Sequence, residues 1–209
     1  MTAGAERGDV PHDAGVIRRV CVFCGSRAGA SPRYREQAER LGRVIAREGW
    51  GLVYGGGRVG LMGAIADAVR EAGGEVTGVI PTGLMRREVA HHGLTELREV
   101  SSMHERKAVM AAMSNAFLAL PGGFGTLEEV FEAVTWAQLG IHAKPCVLLN
   151  VSGFFDPLIA QLDHAVAEGF LKPLHRGLLV TADSVDDIPA LLRAHRPAPV
   201  ARWLDSRET

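Results

Sequence analysis

Long apolar runs, an excess of either charge and a cysteine framework are all missing from this chain of 209 residues. No run approaches the roughly 20 apolar residues that a membrane-spanning helix needs, and the polar N-terminus lacks the apolar core of a signal peptide. With 23 basic and 24 acidic residues, no basic field favours binding to nucleic acid or to an anionic membrane. Three cysteines are too few for a disulfide framework, which fits a reducing compartment. We therefore expect a cytoplasmic protein whose anion binding is local.

The composition indicates one globular domain between two tails. Apolar residues make up 47% of the chain, enough for one sizeable core. Residues 1–17 are polar and glycine-rich without periodicity, and residues 197–209 include proline and arginine. We predict an N-terminal tail over 1–17, a single domain over 18–196 and a C-terminal tail over 197–209.

Short apolar runs alternate with helical patterns along the domain. Continuous apolarity is typical of buried parallel strands. Ser31-Pro32 predicts the start of a helix that ends at Gly49, and Ser184 with Asp187 predicts the start of the last helix. Repeated βα units predict an α/β fold, a doubly wound, Rossmann-like parallel sheet with helices on both faces. The predicted strands are Val20–Cys24, Leu52–Tyr54, Val76–Ile80, Phe117–Leu120, Cys146–Leu149 and Leu178–Val180.

Glycine-rich loops follow three of these strands. They are Cys24-Gly25-Ser26, Gly55-Gly56-Gly57-Arg58-Val59-Gly60 and Pro121-Gly122-Gly123-Phe124-Gly125-Thr126. Carboxyl ends of parallel strands meet at one edge of a sheet, so the three loops are expected to lie together, although glycine is also common in ordinary tight turns. Glycines let a ligand approach the backbone, and a helix start presents free amides to a phosphate. The sequence therefore predicts a phosphate-ester site with candidate residues Gly25, Ser26, Gly56, Gly57, Gly122, Gly123, Gly125 and Thr126.

The second loop also satisfies the dinucleotide pattern G-x-G-x-x-G through Gly55, Gly57 and Gly60. Its context argues against a dinucleotide, because the pattern follows the second strand and the next strand ends in Ile80-Pro81 without an acid for a ribose diol. It is not a Walker A loop, because the required Lys and Ser/Thr are absent. An NAD-type oxidoreductase remains a rival hypothesis, which titration with NADH would test.

Charged residues flank the third loop on both sides. Arg106 and Lys107 lie on a predicted helix before it, either as solvated surface charges or as donors to a phosphate or purine. Glu128 and Glu129 follow the loop. Thr126 and Glu129 fit a capping box, so one carboxylate has a structural alternative, and spacing alone leaves open which one faces a ligand.

Other chemically interesting residues have simpler interpretations. Cys21 and Cys24 form C-x-x-C on a strand, where they point to opposite faces and are expected to pack in the core. His91-His92 lacks a third ligand at suitable spacing, so no metal site is predicted. Lys144 at a helix end is more typical of a solvated cap than of a Schiff-base lysine.

Four segments together resemble the LONELY GUY (LOG) family: Tyr54–Gly63, Met103–Lys107, Pro121–Glu129 and Trp136–His142. The resemblance runs from about Val20 to Val180. It implies hydrolysis of the N-glycosidic bond of a cytokinin riboside 5'-monophosphate to free base and ribose 5-phosphate, with AMP an additional substrate, no cofactor and a homodimer. The implied catalytic pair is Arg106 and Glu129, and the implied nucleotide contacts are Glu88, Lys107, the Gly123 to Glu129 segment with Glu128, and Thr135.

The resulting hypothesis assigns a role to each group. Amides of Gly123, Gly125 and Thr126 hold the 5'-phosphate, and the Glu129 carboxylate stabilises the oxocarbenium-like sugar and orients the water. Arg106 either neutralises the leaving purine or clamps the phosphate and ribose. A non-catalytic nucleotide-binding or carrier module is the alternative. Phe131, Val134 and Trp136 do not share one stripe of their helix, which also favours a dimer.

Overall fold

The computed structural model describes residues 16–85 and 90–200. Most of the two predicted tails, over 1–17 and 197–209, falls outside these ranges, and so does Glu88. Within the described ranges, no helix combines the length and apolarity needed to cross a membrane.

Seven strands and eight α-helices alternate in the described residues. The strands are β1 (Arg19–Phe23), β2 (Gly51–Tyr54), β3 (Val76–Pro81), β4 (Glu96–Val100), β5 (Ala116–Ala119), β6 (Cys146–Leu149) and β7 (Leu179–Ala182). The helices are α1 (Pro32–Arg47), α2 (Gly60–Glu71), α3 (Thr82–Met85), α4 (Met103–Met113), α5 (Phe124–Gln138), α6 (Asp156–Ala167), α7 (Pro173–Arg176) and α8 (Ile188–Ala194).

All seven strands pair in parallel in the order β4-β3-β2-β1-β5-β6-β7. The chain builds the sheet outwards from β1 as far as β4, then returns to add β5 on the other side of β1. This reversal makes the carboxyl ends of β1 and β5 a topological switch point, where doubly wound folds bind ligands. The predicted fold class is confirmed.

Strand β4 was missed by the sequence pattern, which predicted six strands. It lies at the sheet edge and its sequence Glu-Leu-Arg-Glu-Val is half polar, because only one neighbour, β3, covers it. An edge strand needs no continuous apolar run, so the criterion that found the central strands does not find this one.

The helix boundaries follow local capping chemistry. The Ser31 side chain accepts a hydrogen bond from the Arg33 amide at 3.3 Å and Pro32 opens α1, as predicted. Gly49 follows that helix with a φ of 70°. Ser184 accepts from the amide of Asp186, but it caps a single 3-10 turn, and α8 begins only at Ile188.

The sheet separates two hydrophobic clusters. Helices α1, α2 and α8 cover one side, here called the α1/α2 face, where Leu41, Ile65 and Leu192 are buried. Helices α4, α5 and α6 cover the other side, the α4/α5 face, where Met110 and Val130 are buried. Strand residues alternate between the two, so that Cys21 packs on the α4/α5 face and Cys24 on the α1/α2 face, as predicted.

Candidate active site

The three glycine-rich loops meet at the carboxyl edge of the sheet. The amide of Gly25, after β1, donates to the carbonyl of Pro121, after β5, at 3.0 Å. The Gly25 carbonyl in turn accepts from the amide of Leu61, in the first turn of α2, at 3.0 Å. The predicted juxtaposition of these loops is therefore confirmed.

Two glycines are required by these close contacts. A Cβ on Gly122 would lie 2.1 Å from the Thr126 hydroxyl oxygen and 2.9 Å from the Gly25 amide nitrogen. A Cβ on Gly60, whose φ is 61°, would lie 2.3 Å from the carbonyl carbon of Ser26. Because these are backbone or buried neighbours, a larger side chain at either position would separate the loops.

Helix α5 begins earlier than the capping-box interpretation requires. Its N-cap is Gly123 without a side-chain cap, so Phe124, Gly125 and Thr126 form the first turn. The capping-box prediction for Thr126 and Glu129 is wrong, because the fit of Thr126 against Gly122 places this threonine inside the helix. The amides of the first turn have no partner within a helix, and they lie at the switch point where an anion is favoured.

Arg106 projects from α4 into the protein, with only 7% of its surface exposed. Its Nε donates to the Val79 carbonyl at 3.1 Å and its Nη2 to the Gly55 carbonyl at 3.3 Å. A Cβ on Gly55 would lie 2.0 Å from Nη2, so this glycine provides the space that the guanidinium fills. The surface-charge interpretation of Arg106 is wrong, and the carbonyls fix the direction of its remaining nitrogen, Nη1.

Nη1 of Arg106 faces Glu129 on α5. It lies 3.8 Å from the Glu129 Oε1, and the two side chains are only 8% and 10% exposed. A charge pair removed from water interacts more strongly than one on the surface, and a guanidinium stays protonated. Glu129 also raises the pKa values of the buried thiols Cys21 and Cys24, although burial is the larger cause for both. The structure thus joins a fixed cation and a carboxylate one turn beyond the start of α5.

A second ion cluster lies beside this pair. Lys107 is 9% exposed and its Nζ contacts Glu128 and, at 3.0 Å, Glu132. Burial lowers the pKa of Lys107, but hydrogen bonds to the two carboxylates outweigh burial and raise it, so the ammonium is retained. The surface-charge interpretation of Lys107 is wrong as well. Sequence reasoning missed Glu132, although its i,i+4 spacing from Glu128 places both on one helix face.

The other predicted contacts lie at varying distances from the helix start. Ser26 is exposed beside the switch point. Gly56 and Gly57 are buried against the segment that follows the undescribed residues: the Gly56 carbonyl accepts from the His91 amide and Gly57 bridges to Ala90. Thr135 is exposed near the end of α5, about 14 Å along the axis from Thr126 at the usual helical rise.

The residues given simpler interpretations are engaged in structural contacts. The His91 Nε2 lies 2.8 Å from the Asp67 Oδ1, and its Nδ1 accepts from the Gly93 amide. Lys144 donates to the Ala111 carbonyl at 2.7 Å, and burial lowers its pKa, so it is not a solvated cap. Among residues 16–85 and 90–200, no group of three or more His, Cys, Asp or Glu could hold a metal ion.

Fold and geometry together define a class: a doubly wound α/β protein whose glycine-rich loops converge on a helix start at the switch point. Comparison with known proteins narrows this class. A family model described as "Possible lysine decarboxylase" matches residues 62–192. The chain belongs to this family, the LOG family of phosphoribohydrolases.

Curated relatives cover most of the chain. A protein of Oryza sativa subsp. japonica named "Probable cytokinin riboside 5'-monophosphate phosphoribohydrolase LOGL9" is 58% identical over 84% of this chain and 76% of its own length. The rice protein named "Cytokinin riboside 5'-monophosphate phosphoribohydrolase LOG" is 49% identical, over 87% of this chain and 75% of its own. A Rhodococcoides fascians protein with the same enzyme name is also 49% identical, over 85% and 90%.

Solved structures share the fold at lower identity. The molybdenum cofactor binding protein of Rippkaea orientalis is 24% identical with a TM-score of 0.64, over 85% of this chain and 96% of that one. The molybdenum cofactor carrier protein of Chlamydomonas reinhardtii is 25% identical with a TM-score of 0.63, over 83% and 94%. These similarities support the Rossmann-like architecture.

Proposed function

We propose that this protein hydrolyses the N-glycosidic bond of cytokinin riboside 5'-monophosphates, releasing the free base and ribose 5-phosphate. The main support for this proposal is the buried Arg106–Glu129 pair next to the first turn of α5, in a chain about half identical to proteins named for this reaction. AMP, which presents the same phosphate and ribose, is proposed as an additional substrate.

The start of α5 is proposed to bind the 5'-phosphate. The amides of Gly123, Gly125 and Thr126 lie in its first turn, and a Cβ on Gly123 or Gly125 would meet nothing within 4 Å. That free space on the ligand side, with the positive end of the helix dipole, suits a phosphate. Fixing the phosphate there would hold the ribose along α5 towards Glu129, which is one turn further on.

Glu129 and Arg106 are proposed to act on the bond to the base. As that bond breaks, its electron pair leaves with the base, and the Glu129 carboxylate stabilises the positive charge that develops on the sugar. Glu129 also takes a proton from the water whose oxygen bonds to C1'. The departing base takes up one proton from solvent and Glu129 releases its proton to solvent, so that free base and ribose 5-phosphate leave and the carboxylate is restored. Arg106 keeps its proton, and its Nη1, which faces Glu129, donates a hydrogen bond to the leaving base, while the bonds of Nε and Nη2 to carbonyls hold the guanidinium in place.

Glu88, Lys107, Glu128 and Thr135 remain predicted substrate contacts with different structural support. Lys107 and Glu128 contact each other beside the proposed site. Glu88 lies outside the described residues. Thr135 lies near the end of α5, several residues beyond the first turn that is proposed to bind the phosphate.

A homodimer through the α4/α5 face is also proposed. Phe131 is 38% exposed on α5, and Val134 and Trp136 are only partly buried on the same helix. Burying such side chains against a second copy would remove apolar area from water. Sedimentation of wild type and Phe131→Glu would test this, since the charge is expected to shift a dimer towards monomer. A cytoplasmic location is proposed because all three cysteines are free and buried.

The function is tested by incubating the full-length protein with AMP and with isopentenyladenosine monophosphate, without added metal or cofactor, and separating the free base by chromatography. Wild type is expected to release base from both, and the rate ratio measures preference. Glu129→Gln is expected to lower kcat by about 1,000-fold or more while nucleotide still binds. Glu39→Gln, a change at a partly exposed residue of α1 that pairs with Arg35, is the matched control and is expected to retain full activity.

The alternative is a non-catalytic binding module, because the Chlamydomonas reinhardtii protein that shares this fold is named a molybdenum cofactor carrier protein. Saturable binding of both nucleotides, with no base released over hours by wild type, would contradict the proposed hydrolysis and favour that alternative. Loss of folding in Glu129→Gln, measured by circular dichroism, would instead indicate a structural role for the carboxylate.

A further inference from the structure

Two consecutive residues of α4 pair with neighbouring residues of α5. Arg106 faces Glu129 at 3.8 Å, whereas Lys107 touches Glu128 and lies 3.0 Å from Glu132. The second set is the closer one, and it connects the same two helices that carry the proposed catalytic pair. Glu129, Glu132 and Lys107 also line one cavity together with Phe23 and Trp136.

Burial makes this second set more than a surface ion pair. Lys107 is 9% exposed and Glu132 25%, whereas Glu128 is 53% exposed. Exposed ion pairs hold side chains weakly, but a buried ammonium that loses its carboxylates becomes an uncompensated charge. Glu132 is therefore the better-shielded of the two anchors for Lys107.

We propose that Lys107, held by Glu128 and Glu132, is a positioning residue that keeps Glu129 ionised and opposite Arg106, and that Glu132 is its principal anchor. The inference rests on the proposed function. It assigns to Glu132 a role in the reaction without contact to the substrate, and it gives Lys107 an action through Glu129.

The charges around Glu129 determine the direction in which each substitution is expected to change its ionisation. From α4, Arg106 faces Glu129 directly, and Lys107 lines the same cavity as Glu129. From α5 itself, Glu132 lines that cavity as well, and Glu128 contacts Lys107. The thiols of Cys21 and Cys24 approach from the β1 side, and burial raises their pKa values, so they are neutral near pH 7. Removing Lys107 leaves the Glu132 carboxylate uncompensated at the cavity that Glu129 also lines, which disfavours ionisation of Glu129, whereas removing the charge of Glu132 favours it.

The test is the pH dependence of kcat/KM for the better of the two nucleotides, measured with the full-length protein. In Lys107→Met the acid limb is expected to move to higher pH by about one unit. In Glu132→Gln it is expected to move to lower pH by a smaller amount, with a several-fold loss of kcat and an unchanged KM. Lys107→Arg, which restores the charge, is expected to return the limb towards the wild-type position, and Glu39→Gln is the matched control.

Each contrary outcome has a distinct meaning. A raised KM with an unmoved acid limb in Lys107→Met would show that Lys107 acts only as a substrate contact and not through Glu129, and would overturn the proposal. A lowered kcat with an unmoved limb in both variants would show a steric role only, with the same consequence. If Lys107→Met fails to fold, Lys107→Gln is measured in its place, because the shift in Glu132→Gln alone is also expected from the loss of a nearby negative charge.

A readout without turnover separates this inference from the proposed function. The Glu129 carboxyl is titrated by carbon-13 NMR in the ligand-free wild type and in the two variants, with Glu129→Gln to assign the signal. Opposite displacements of its pKa support the positioning role even if wild type hydrolyses neither nucleotide. Identical titration in all three proteins overturns it even if wild type is fully active.

Discussion

On the α1/α2 face the helices bury aliphatic side chains completely, whereas the α4/α5 face carries ion pairs and half-exposed hydrophobic side chains. Leu41, Ile45 and Ile65 have no exposed surface on the first face. On the second, α6 has no buried residue at all, and Ile159 is only partly buried against the cluster. The same sheet thus supports a closed apolar layer on one side and an open, charged layer on the other.

The reaction requires buried charges, whereas a stable core requires buried apolar side chains. The two faces of the sheet meet these requirements separately. Charges lose hydration on burial even when they are paired, so the Arg106–Glu129 pair stabilises its layer less than apolar side chains would. A fully apolar layer behind the sheet can compensate for that loss without constraining the chemistry. We therefore expect stability to be most sensitive to changes on the α1/α2 face, and turnover to changes on the α4/α5 face.

The largest effect is expected from the same truncation made on each face. Ile65→Ala on α2 creates a cavity in the closed layer and is expected to lower the free energy of unfolding by about 3–4 kcal/mol. Ile159→Ala on α6 is expected to lower it by about 1 kcal/mol, because solvent already reaches that side chain. Urea denaturation of both variants measures the difference.

Repeating the denaturation of both variants at several protein concentrations tests whether a second copy covers the α4/α5 face. If a second copy covers the α4/α5 face, the loss in Ile159→Ala becomes larger and depends on concentration, as it does when folding and association are linked. Equal losses in the two variants at every concentration would contradict the division between a closed and an open layer.

The next effect is on turnover, through the space beside Arg106. Gly55→Ala would place a Cβ 2.0 Å from Nη2 and displace the guanidinium from the Gly55 carbonyl and from Glu129. We expect kcat to fall about 100-fold, equivalent to about 2.7 kcal/mol in the activation free energy. The free energy of unfolding should fall by less than that, because the clash involves the end of a flexible side chain. Steady-state kinetics and urea denaturation give the two values.

Gly177→Ala provides the matched control for this variant. Its Cβ would have ordinary contacts at 3.4 Å, and its φ is −67°, so neither turnover nor stability is expected to change by much. Full activity in Gly55→Ala would show that the observed guanidinium position is not required for the reaction.

Sequence patterns predicted the features that depend on local chemistry. Apolar runs located every strand of the described sheet except the edge strand β4, and Ser31-Pro32 located the start of α1. Because all strands are parallel, their order of appearance was enough to bring the loops after β1 and β5 to one edge. The convergence of these loops on the start of α5 can therefore be predicted from the sequence.

The remaining features depend on contacts between distant segments. The burial of Arg106 requires the carbonyls of Val79 and Gly55, which lie 27 and 51 residues away in sequence. The capping-box error has the same origin, since Gly25 and Gly122 decide where α5 begins. No periodicity within α4 or α5 carries that information, which explains why the sequence left Lys107 open between a surface charge and a ligand donor and did not point to Glu132.

The smallest effect is expected from a polar atom buried in the apolar layer. Tyr54 has no exposed surface, and among the described residues no group lies within hydrogen-bonding distance of its hydroxyl. A buried hydroxyl without a partner loses its hydration and gains nothing in return. Tyr54→Phe is therefore expected to leave kcat unchanged and to increase the free energy of unfolding by up to about 1 kcal/mol at pH 7.

Alkaline pH should widen this difference. Burial, followed by the nearby Cys24 and Asp67, raises the pKa of Tyr54 above the value of about 10 for an unfolded tyrosine. Above about pH 10, ionisation of this tyrosine stabilises the unfolded wild type but not the folded protein, in which the hydroxyl stays protonated. The free energy of unfolding of wild type therefore falls as pH rises, and the phenylalanine variant lacks this contribution. Urea denaturation of both proteins at pH 7 and pH 10.5 measures the change, and every other titrating group cancels in the difference. A variant less stable than wild type at pH 7 would show that the hydroxyl has a bound water or another stabilising partner, and that the α1/α2 face is not purely apolar.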